Sequence, residues 1–229
     1  MKMFRPLLLL ALGFTALAGR SGLASAAESD AKAPTAGAAG ELLVFHTDWK
    51  GERITLPPAF APAMKLRGIE EIRFAPGMFQ AQADSFFSYA FVFSVSQDQE
   101  LTQAVIQREI LVYYQGLAES VLKGKGRAVE TGKFTFKLER AKQAAGAPEQ
   151  LPVATPVTQY SGELDWVEPF ATGKPQVLHF EIHAWSDPGT ARNYLFVCTS
   201  PKAREETTAI WKELRAIRRT LEIKGKPKN

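Results

Sequence analysis

The most regular pattern in the chain spans residues 86–95, where large aromatic and small side chains alternate. Successive residues of a strand point to opposite faces, so odd-numbered residues share one face and even-numbered residues share the other. The odd face carries four aromatic rings, those of Phe87, Tyr89, Phe91 and Phe93. The pattern predicts a strand over 86–95 with a thick apolar core on its odd face and room for a close-packed helix on its even face.

Two segments show apolar residues at helical spacing, which places them on one side of a helix. The first predicted helix follows the strand at 86–95 and runs from about Gln99 to Leu122, with Asp98 as its N-cap. The second lies near the C-terminus and is expected to begin at Ser200-Pro201. The apolar stripes are Ile106, Ile110, Tyr113, Tyr114, Leu117 and Val121 in the first helix, and Ile210, Leu214, Ile217 and Leu221 in the second.

The remaining apolar runs are typical of strands joined by short connections. A turn-like cluster at 48–51 predicts a hairpin between strands at 42–46 and 53–56. Further strands are expected at 69–74, 134–138, 160–167, 176–185 and 193–199. Short connections favour antiparallel pairing. We therefore predict an α+β fold, a single-domain antiparallel β-sheet meander with two long amphipathic helices packed on it.

The N-terminal residues have the pattern of a secretory signal peptide. Lys2 and Arg5 precede an apolar run over 6–18, and small residues at 24–27 follow it. This run is shorter than the ~20 apolar residues that span a bilayer. We expect a signal peptide over 1–27, cleaved after Ala26 or Ala27, and an exported protein that is periplasmic or extracellular.

The mature chain then divides into three parts. Residues 28–40 contain no bulky apolar side chain and are expected to form a flexible lead-in. The α+β domain is expected over 41–224, and residues 225–229 form a basic tail.

Charge changes the set of expected partners. The whole chain has a formal net charge of +4, but residues 1–27 contain three basic residues and no acid, so the mature chain has +1. A nearly neutral chain has little long-range attraction for a polyanion, which argues against a nucleic-acid partner. Two local basic clusters remain: Lys123, Lys125, Arg127 and Lys133, and Arg215, Arg218, Arg219, Lys224, Lys226 and Lys228.

Cys198 is the only cysteine, so the chain cannot form an internal disulfide. It lies in the strand-like run 194–199, and no neighbouring base or cationic group in the sequence would activate its thiol. We therefore expect Cys198 to be a small buried apolar residue.

One strand face carries residues with metal-binding chemistry. His179, Glu181 and His183 alternate with apolar residues, so they share a face. If the apolar faces of 160–167 and 176–185 coincide, Asp165 should lie near His179 and Glu163 near Glu181.

Histidine and carboxylate side chains bind zinc and similar divalent ions. However, residues two apart on a strand are separated by ~6.7 Å, so His179 and His183 would converge only with a bulge. Two interpretations stay open, a divalent metal site of His179, Glu181 and His183 and the ordinary polar face of a sheet.

The turn residues at 75–77 predict a loop that carries Met78 and Phe79. Exposed apolar residues at a loop tip can mark a ligand or partner surface. We take Met78 and Phe79 as the candidate surface of this kind.

The closing strand and helix, residues 193–199 and the segment after Ser200-Pro201, are similar to those of small α/β/α lumenal modules such as the accessory subunits of photosystem II. The resemblance covers only this segment and implies no function for the chain.

The function expectation is an exported protein without catalytic activity or cofactor. The chain contains no Walker loop, Gly-x-Ser-x-Gly, His-Glu-x-x-His or Cys-x-x-Cys motif. We expect a binding or interaction module for a small apolar ligand or an envelope protein. The first alternative is a metal-dependent enzyme that uses the His179, Glu181 and His183 face. The second is an envelope-associated structural protein that contacts an anionic membrane through Arg218, Arg219 and residues 224–228.

Overall fold

Nine strands and two α-helices form the part of the chain that the computed structural model describes, residues 42–141, 155–205 and 208–224. The strands are β1 (Leu42–Val44), β2 (Lys50–Leu56), β3 (Gly68–Phe74), β4 (Tyr89–Ser96), β5 (Thr135–Arg140), β6 (Thr158–Val167), β7 (Pro175–Asp187), β8 (Arg192–Ser200) and β9 (Glu222–Lys224). The helices are α1 (Gln103–Gly124) and α2 (Ala209–Arg219). The predicted signal peptide, lead-in and basic tail lie outside the described residues.

Seven of these strands form one antiparallel sheet in the order β2-β3-β4-β8-β7-β6-β5. The predicted α+β class with an antiparallel sheet is therefore confirmed. The sheet consists of two meanders, β2-β3-β4 and β5-β6-β7-β8, which join where β4 pairs with β8. Long hydrogen-bonded ladders on both sides of β4 place this strand in the interior of the sheet.

The predicted hairpin at 42–56 is wrong, because β1 pairs with β9 in a separate two-stranded sheet. Strand β2 pairs instead with β3, along a ladder from Lys50 opposite Phe74 to Leu56 opposite Gly68. A turn signal specifies a reversal of the chain but not the pairing partner. The full length of β2 forms more backbone hydrogen bonds with β3 than the three residues of β1 could provide.

Helix α1 covers the odd face of β4. The odd-numbered aromatic residues of this face belong to one buried cluster with the apolar stripe of α1. The rings of Phe91 and Tyr113 stack with centroids 6.1 Å apart. The predicted thick aromatic core is confirmed, and it is closed rather than open to ligand.

Helix α2 covers the opposite face, where small residues of β4 let it approach. Ala90 and Val92 share a second buried cluster with Trp211 and Leu214 of α2. Cys198 is fully buried in the same cluster, as predicted. The helices therefore lie on opposite faces of the sheet and form three layers.

Both predicted helix starts are too early. Helix α1 begins at Gln103, and the Thr102 hydroxyl caps it by accepting the N–H of Val105 at 3.3 Å. Upstream, the Gln99 side chain accepts the N–H of Arg67 and donates to its carbonyl, which holds residues 97–101 outside the helix.

Helix α2 begins at Ala209, because Ser200 belongs to β8 and not to the helix. Ser200 is the last residue of β8, and its hydroxyl bonds that of Ser88 at 2.8 Å. The predicted strand over 86–95 begins only at Tyr89, because Phe87 has a φ of 48°, which a strand cannot contain.

A buried carboxylate fastens the segment 57–67 to α1. Glu109 of α1 is fully buried, and its Oε2 accepts the backbone N–H groups of Lys65 at 2.7 Å and Leu66 at 3.0 Å. Farther along α1, a Cβ on Gly116 would lie 2.3 Å from the Phe60 carbonyl oxygen, so the contact needs glycine. These contacts bring Met64 and Leu66 into the core.

Replacing Glu109 with alanine should destabilise the fold, because two backbone N–H groups would lose their acceptor in a buried site. We expect the free energy of unfolding of Glu109→Ala to fall by about 2–4 kcal/mol. Glu119→Ala, an exposed site on the same helix, is the control and should change it by less than about 0.5 kcal/mol. Urea unfolding measures both, and equal effects would contradict a fastening role for Glu109.

Candidate functional site

The residues of the predicted metal site lie on the face of β7 that α2 covers in part. Glu163 pairs with His179 and Ser161 with Glu181, so the predicted pairs Asp165–His179 and Glu163–Glu181 are wrong by two residues. Odd residues do pair with odd residues, as predicted. The apolar pattern determines this parity, whereas the turn between the strands sets the register.

Two arginines of α2 bind the carboxylate of Glu181. The Glu181 oxygens lie 2.5 Å from Arg215 Nη2 and 2.7 Å from Arg218 Nη1. Burial opposes ionisation of Glu181, but the hydrogen bonds and charges of the two guanidinium groups outweigh it and lower its pKa. Glu181 therefore acts as an ionic fastener between the sheet and α2.

His183 is 4% exposed and lies beside this ion pair. Burial and the positive charge of Arg218 lower the pKa of His183 to about 3, so its imidazole is neutral near pH 7. Its Nδ1 has no hydrogen-bond partner within the described part of the chain. His179 lies nearer the surface, with Nδ1 3.2 Å from Glu163 Oε1.

The three predicted ligands therefore differ in their contacts: Glu181 binds two arginines, His179 lies beside Glu163, and His183 Nδ1 has no partner among the described residues. Among residues 42–141, 155–205 and 208–224, no group of three His, Cys, Asp or Glu side chains is placed to hold a metal ion. The metal site at His179, Glu181 and His183 stays a prediction, and the observed contacts of Glu181 favour a structural role.

The basic surface expected of the C-terminal cluster is reduced by the same contacts. Arg218 is 1% exposed, so it cannot contact a membrane surface. The guanidinium of Arg215 binds Glu181, and Lys224 pairs with Glu222 at 3.4 Å. Residues 225–229 lie outside the described residues.

A second buried polar cluster, not anticipated from the sequence, lies between the sheet and α1. Glu70 is fully buried, and its Oε1 accepts a hydrogen bond from the Tyr113 hydroxyl at 3.2 Å. Its other carboxylate oxygen has no partner among the described residues. Nearby, the Tyr89 and Tyr114 hydroxyls form a hydrogen bond with each other.

Burial raises the pKa of Glu70 to about 8, against the hydrogen bond from Tyr113, which lowers it. Burial also raises the pKa of all three tyrosines above the ordinary value. Glu70 is therefore a protonated acid in the folded protein at pH 7. Glu70 shares one strand face with Ile72 and Phe74, because the three residues are spaced two apart. The two apolar residues were the signal in the sequence that this face, and so Glu70, is directed to the core.

Of the two residues of the predicted partner surface, Met78 is buried and Phe79 is exposed. Met78 is 5% exposed and packs into the α1-side core, so its assignment to the surface is wrong. The backbone explains this, because the Met78 N–H donates to Ala75 and its carbonyl accepts from Phe87, which turns the chain inward. Phe79 is 55% exposed, as the prediction requires.

Two half-buried rings from distant parts of the chain support Phe79. Its ring centroid lies 6.3 Å from that of Phe74, at the end of β3, and 5.5 Å from that of Phe170, in the turn between β6 and β7. We call Phe74, Phe79, Phe170 and the turn 168–174 the aromatic end. Phe170 was not a predicted site residue, because only the tertiary fold brings it to Phe79.

A buried carboxylate holds the turn of the aromatic end in place. Glu168 is fully buried, and its oxygens accept the backbone N–H groups of Phe170, Ala171 and Thr172 at 2.5, 3.0 and 2.6 Å. A glutamate before a glycine-containing turn was the available signal in the sequence. The position of the Phe170 ring is therefore constrained by its own backbone.

Cationic side chains from the end of α1 bind the outside of this turn. Lys125 Nζ donates to the carbonyls of Pro169 at 2.9 Å and Phe170 at 2.5 Å. Arg127 donates to the Gly173 carbonyl at 3.1 Å. Gly173 has a φ of 61°, and a Cβ there would collide with the guanidinium of Arg127. Two residues of the basic cluster noted in the sequence, Lys125 and Arg127, therefore lie at the aromatic end.

The contribution of Glu70 to the free energy of unfolding should fall as pH rises from about 4.5 to about 8, because the unfolded chain loses the Glu70 proton near 4.5 and the folded protein keeps it to about 8. The contribution approaches about 1.4 kcal/mol per pH unit. Glu70→Gln should remove it, and Glu71→Gln on the same strand should not. Urea unfolding at several pH values is the measurement, and an unchanged slope in Glu70→Gln would contradict burial of the protonated acid.

His183 should produce the opposite dependence in acid. The unfolded chain binds a proton at His183 near pH 6.5, whereas the folded protein excludes it down to about pH 3, so stability is lost as pH falls through this window. His183→Gln should reduce the loss by up to about 1.4 kcal/mol per pH unit, and His179→Gln should retain it. Acid unfolding followed by circular dichroism measures the difference, and identical curves for His183→Gln and wild type would refute it.

Comparison with known proteins adds no relative: the chain matches no protein-family model, no curated protein and no solved structure. In the part of the chain that the structure describes, no helix has the length and apolar character needed to cross a membrane.

Proposed function

We propose that the protein is an exported, non-catalytic interaction module whose contact surface is the aromatic end. The observation that carries the proposal is the Phe79 ring, more than half exposed at a loop tip and packed on two further rings. Leaving a large ring in water forgoes the free energy of burying it, about 1.5–3 kcal/mol. A partner that covers Phe79 would recover part of this free energy.

The aromatic strand face does not serve as the contact surface in this proposal. Tyr89 of that face is 2% exposed, and Phe91 and Phe93 are fully buried beneath α1. A small apolar ligand would have to displace α1 to reach them. The aromatic end needs no such rearrangement.

Support for binding also comes from the way the aromatic end is held. Glu168 holds the turn that carries Phe170 by accepting three of its backbone N–H groups, and Lys125 binds the same turn from outside. A surface that is already ordered loses less conformational entropy when it binds.

The charged groups in the interior support a role without catalysis. Glu109 and Glu168 bind backbone N–H groups, and Glu181 binds two arginines. Each of these three carboxylates has a structural partner within the protein. The export part of the proposal rests on the signal-peptide pattern of residues 1–27.

Site-specific photo-crosslinking in the exported compartment tests the proposal. A photoreactive residue replaces Gln80, which is exposed beside Phe79, and in a matched control it replaces exposed Gln97 at the opposite end of β4. We expect crosslinked products from position 80 and few from 97, since only the first lies at the aromatic end.

Phe79→Ala in the same background should remove the products from position 80 while lowering the free energy of unfolding by less than about 1 kcal/mol, because the ring is largely exposed. The processed protein should begin at Ala27 or Glu28. Equal crosslinking from positions 80 and 97 would refute the contact surface, and an unprocessed N-terminus would refute export.

A further inference from the structure

We infer that the aromatic end binds the anionic surface of a lipid bilayer, with Phe79 entering the interface and the surrounding cations lying at the lipid headgroups. This inference rests on the proposed function and names the partner of the same surface. The membrane contact is thus assigned to the basic residues at the aromatic end, and not to the C-terminal arginines, of which Arg218 is buried.

The aromatic end carries exposed positive charge. Lys125 and Arg127 bind the turn 168–174, and Lys174 belongs to it. Lys123 lies in the last turn of α1, just before Lys125, and all four side chains are exposed. Within the described residues, none of the four forms an ion pair with a carboxylate. Four exposed acids lie in the neighbouring segments: Asp84, Glu119 of α1, Glu130 and Asp165 of β6. Other lysines neutralise two of them, since Lys202 pairs with Asp84 at 3.3 Å and Lys133 with Glu130 at 2.5 Å. A positive excess remains, which anionic headgroups complement.

These positive charges lie close to the exposed Phe79 ring. Lys125 Nζ lies 2.5 Å from the carbonyl oxygen of Phe170, whose ring centroid is 5.5 Å from that of Phe79. Cations and ring therefore lie at the same end of the molecule. This arrangement lets an aromatic ring reach the acyl boundary while ammonium groups stay at the headgroups.

The described residues expose little apolar surface. Phe79 and Val177 are the exposed large apolar residues among those described, and Val177 lies on the α2 face of the sheet. A specific protein interface buries about 800 Å² on each partner around an apolar centre, which one ring does not supply. Peripheral lipid binding needs only a few apolar groups when cations add to them.

The residues that follow Phe79 also fit a lipid interface. Gln80, Ala81 and Gln82 are exposed and carry no charge. The loop tip can therefore enter the interface without burying an ionised group, which would be costly.

Co-sedimentation with lipid vesicles tests the inference. The protein is recovered after export and processing, so that its apolar leader does not contribute. It is mixed with vesicles of phosphatidylcholine alone or with one-third phosphatidylglycerol. We expect binding at least about tenfold stronger to the anionic vesicles at low salt, and loss of this difference at about 0.5 M salt.

Variants locate the binding surface. Lys123→Glu combined with Lys174→Glu should weaken binding about tenfold or more, since neither side chain forms a hydrogen bond that holds the turn among the described residues. Phe79→Ala should weaken it about threefold or more. Lys212→Glu on the exposed side of α2 and Val177→Ala are the matched controls, and each should stay within about twofold of wild type.

Equal binding to both kinds of vesicle, or equal losses in the paired lysine variant and Lys212→Glu, would overturn the inference. Melting curves for every variant distinguish a lost surface from a lost fold. The crosslinked products show whether the lipid partner alone or the proposed function as well is refuted. A protein adduct at position 80 without vesicle binding refutes the lipid partner and leaves the proposed function standing, whereas no adduct of any kind at position 80 refutes both.

Discussion

Strand β4 has both of its faces buried, and this constraint organises the molecule. Its odd residues are large and pack beneath α1, whereas Ala90 and Val92 on its even face pack against α2. Because β4 also pairs with β3 and β8, it joins the two meanders of the sheet. A polar group placed against either face loses its water and must find a partner inside the protein.

Buried carboxylates meet this requirement in different ways. Glu109 and Glu168 accept backbone N–H groups and so hold irregular segments against the sheet and α1. Glu181 binds two arginines and so connects α2 to β7. Glu70 keeps a proton instead, because Tyr113 alone does not compensate the loss of water. Interior acids thus determine where segments without regular secondary structure lie.

The aromatic end follows from the same physics. The core rings on the α1 side continue to one end of the strands, where Phe87 contacts Phe170 and Phe170 contacts Phe79. The series ends at Phe79, which is more than half exposed among the described residues. Cations from the end of α1 lie beside it, since Lys125 and Arg127 bind the turn that carries Phe170. The proposed contact surface therefore combines an exposed ring with neighbouring positive charge.

Local patterns were sufficient for the α+β class, the two faces of β4, the helical stripes and the burial of Cys198, because side-chain periodicity reports which residues share a face. The sequence also identified Phe79, whose loop follows clear turn residues. It did not reveal that Met78 points inward, that β1 pairs with β9, or that Glu181 binds Arg215 and Arg218. Those outcomes arise between residues far apart in the chain, and periodicity specifies parity but neither register nor partner. The aromatic end exists only because folding brings Phe79 to Phe170 and the end of α1 to both.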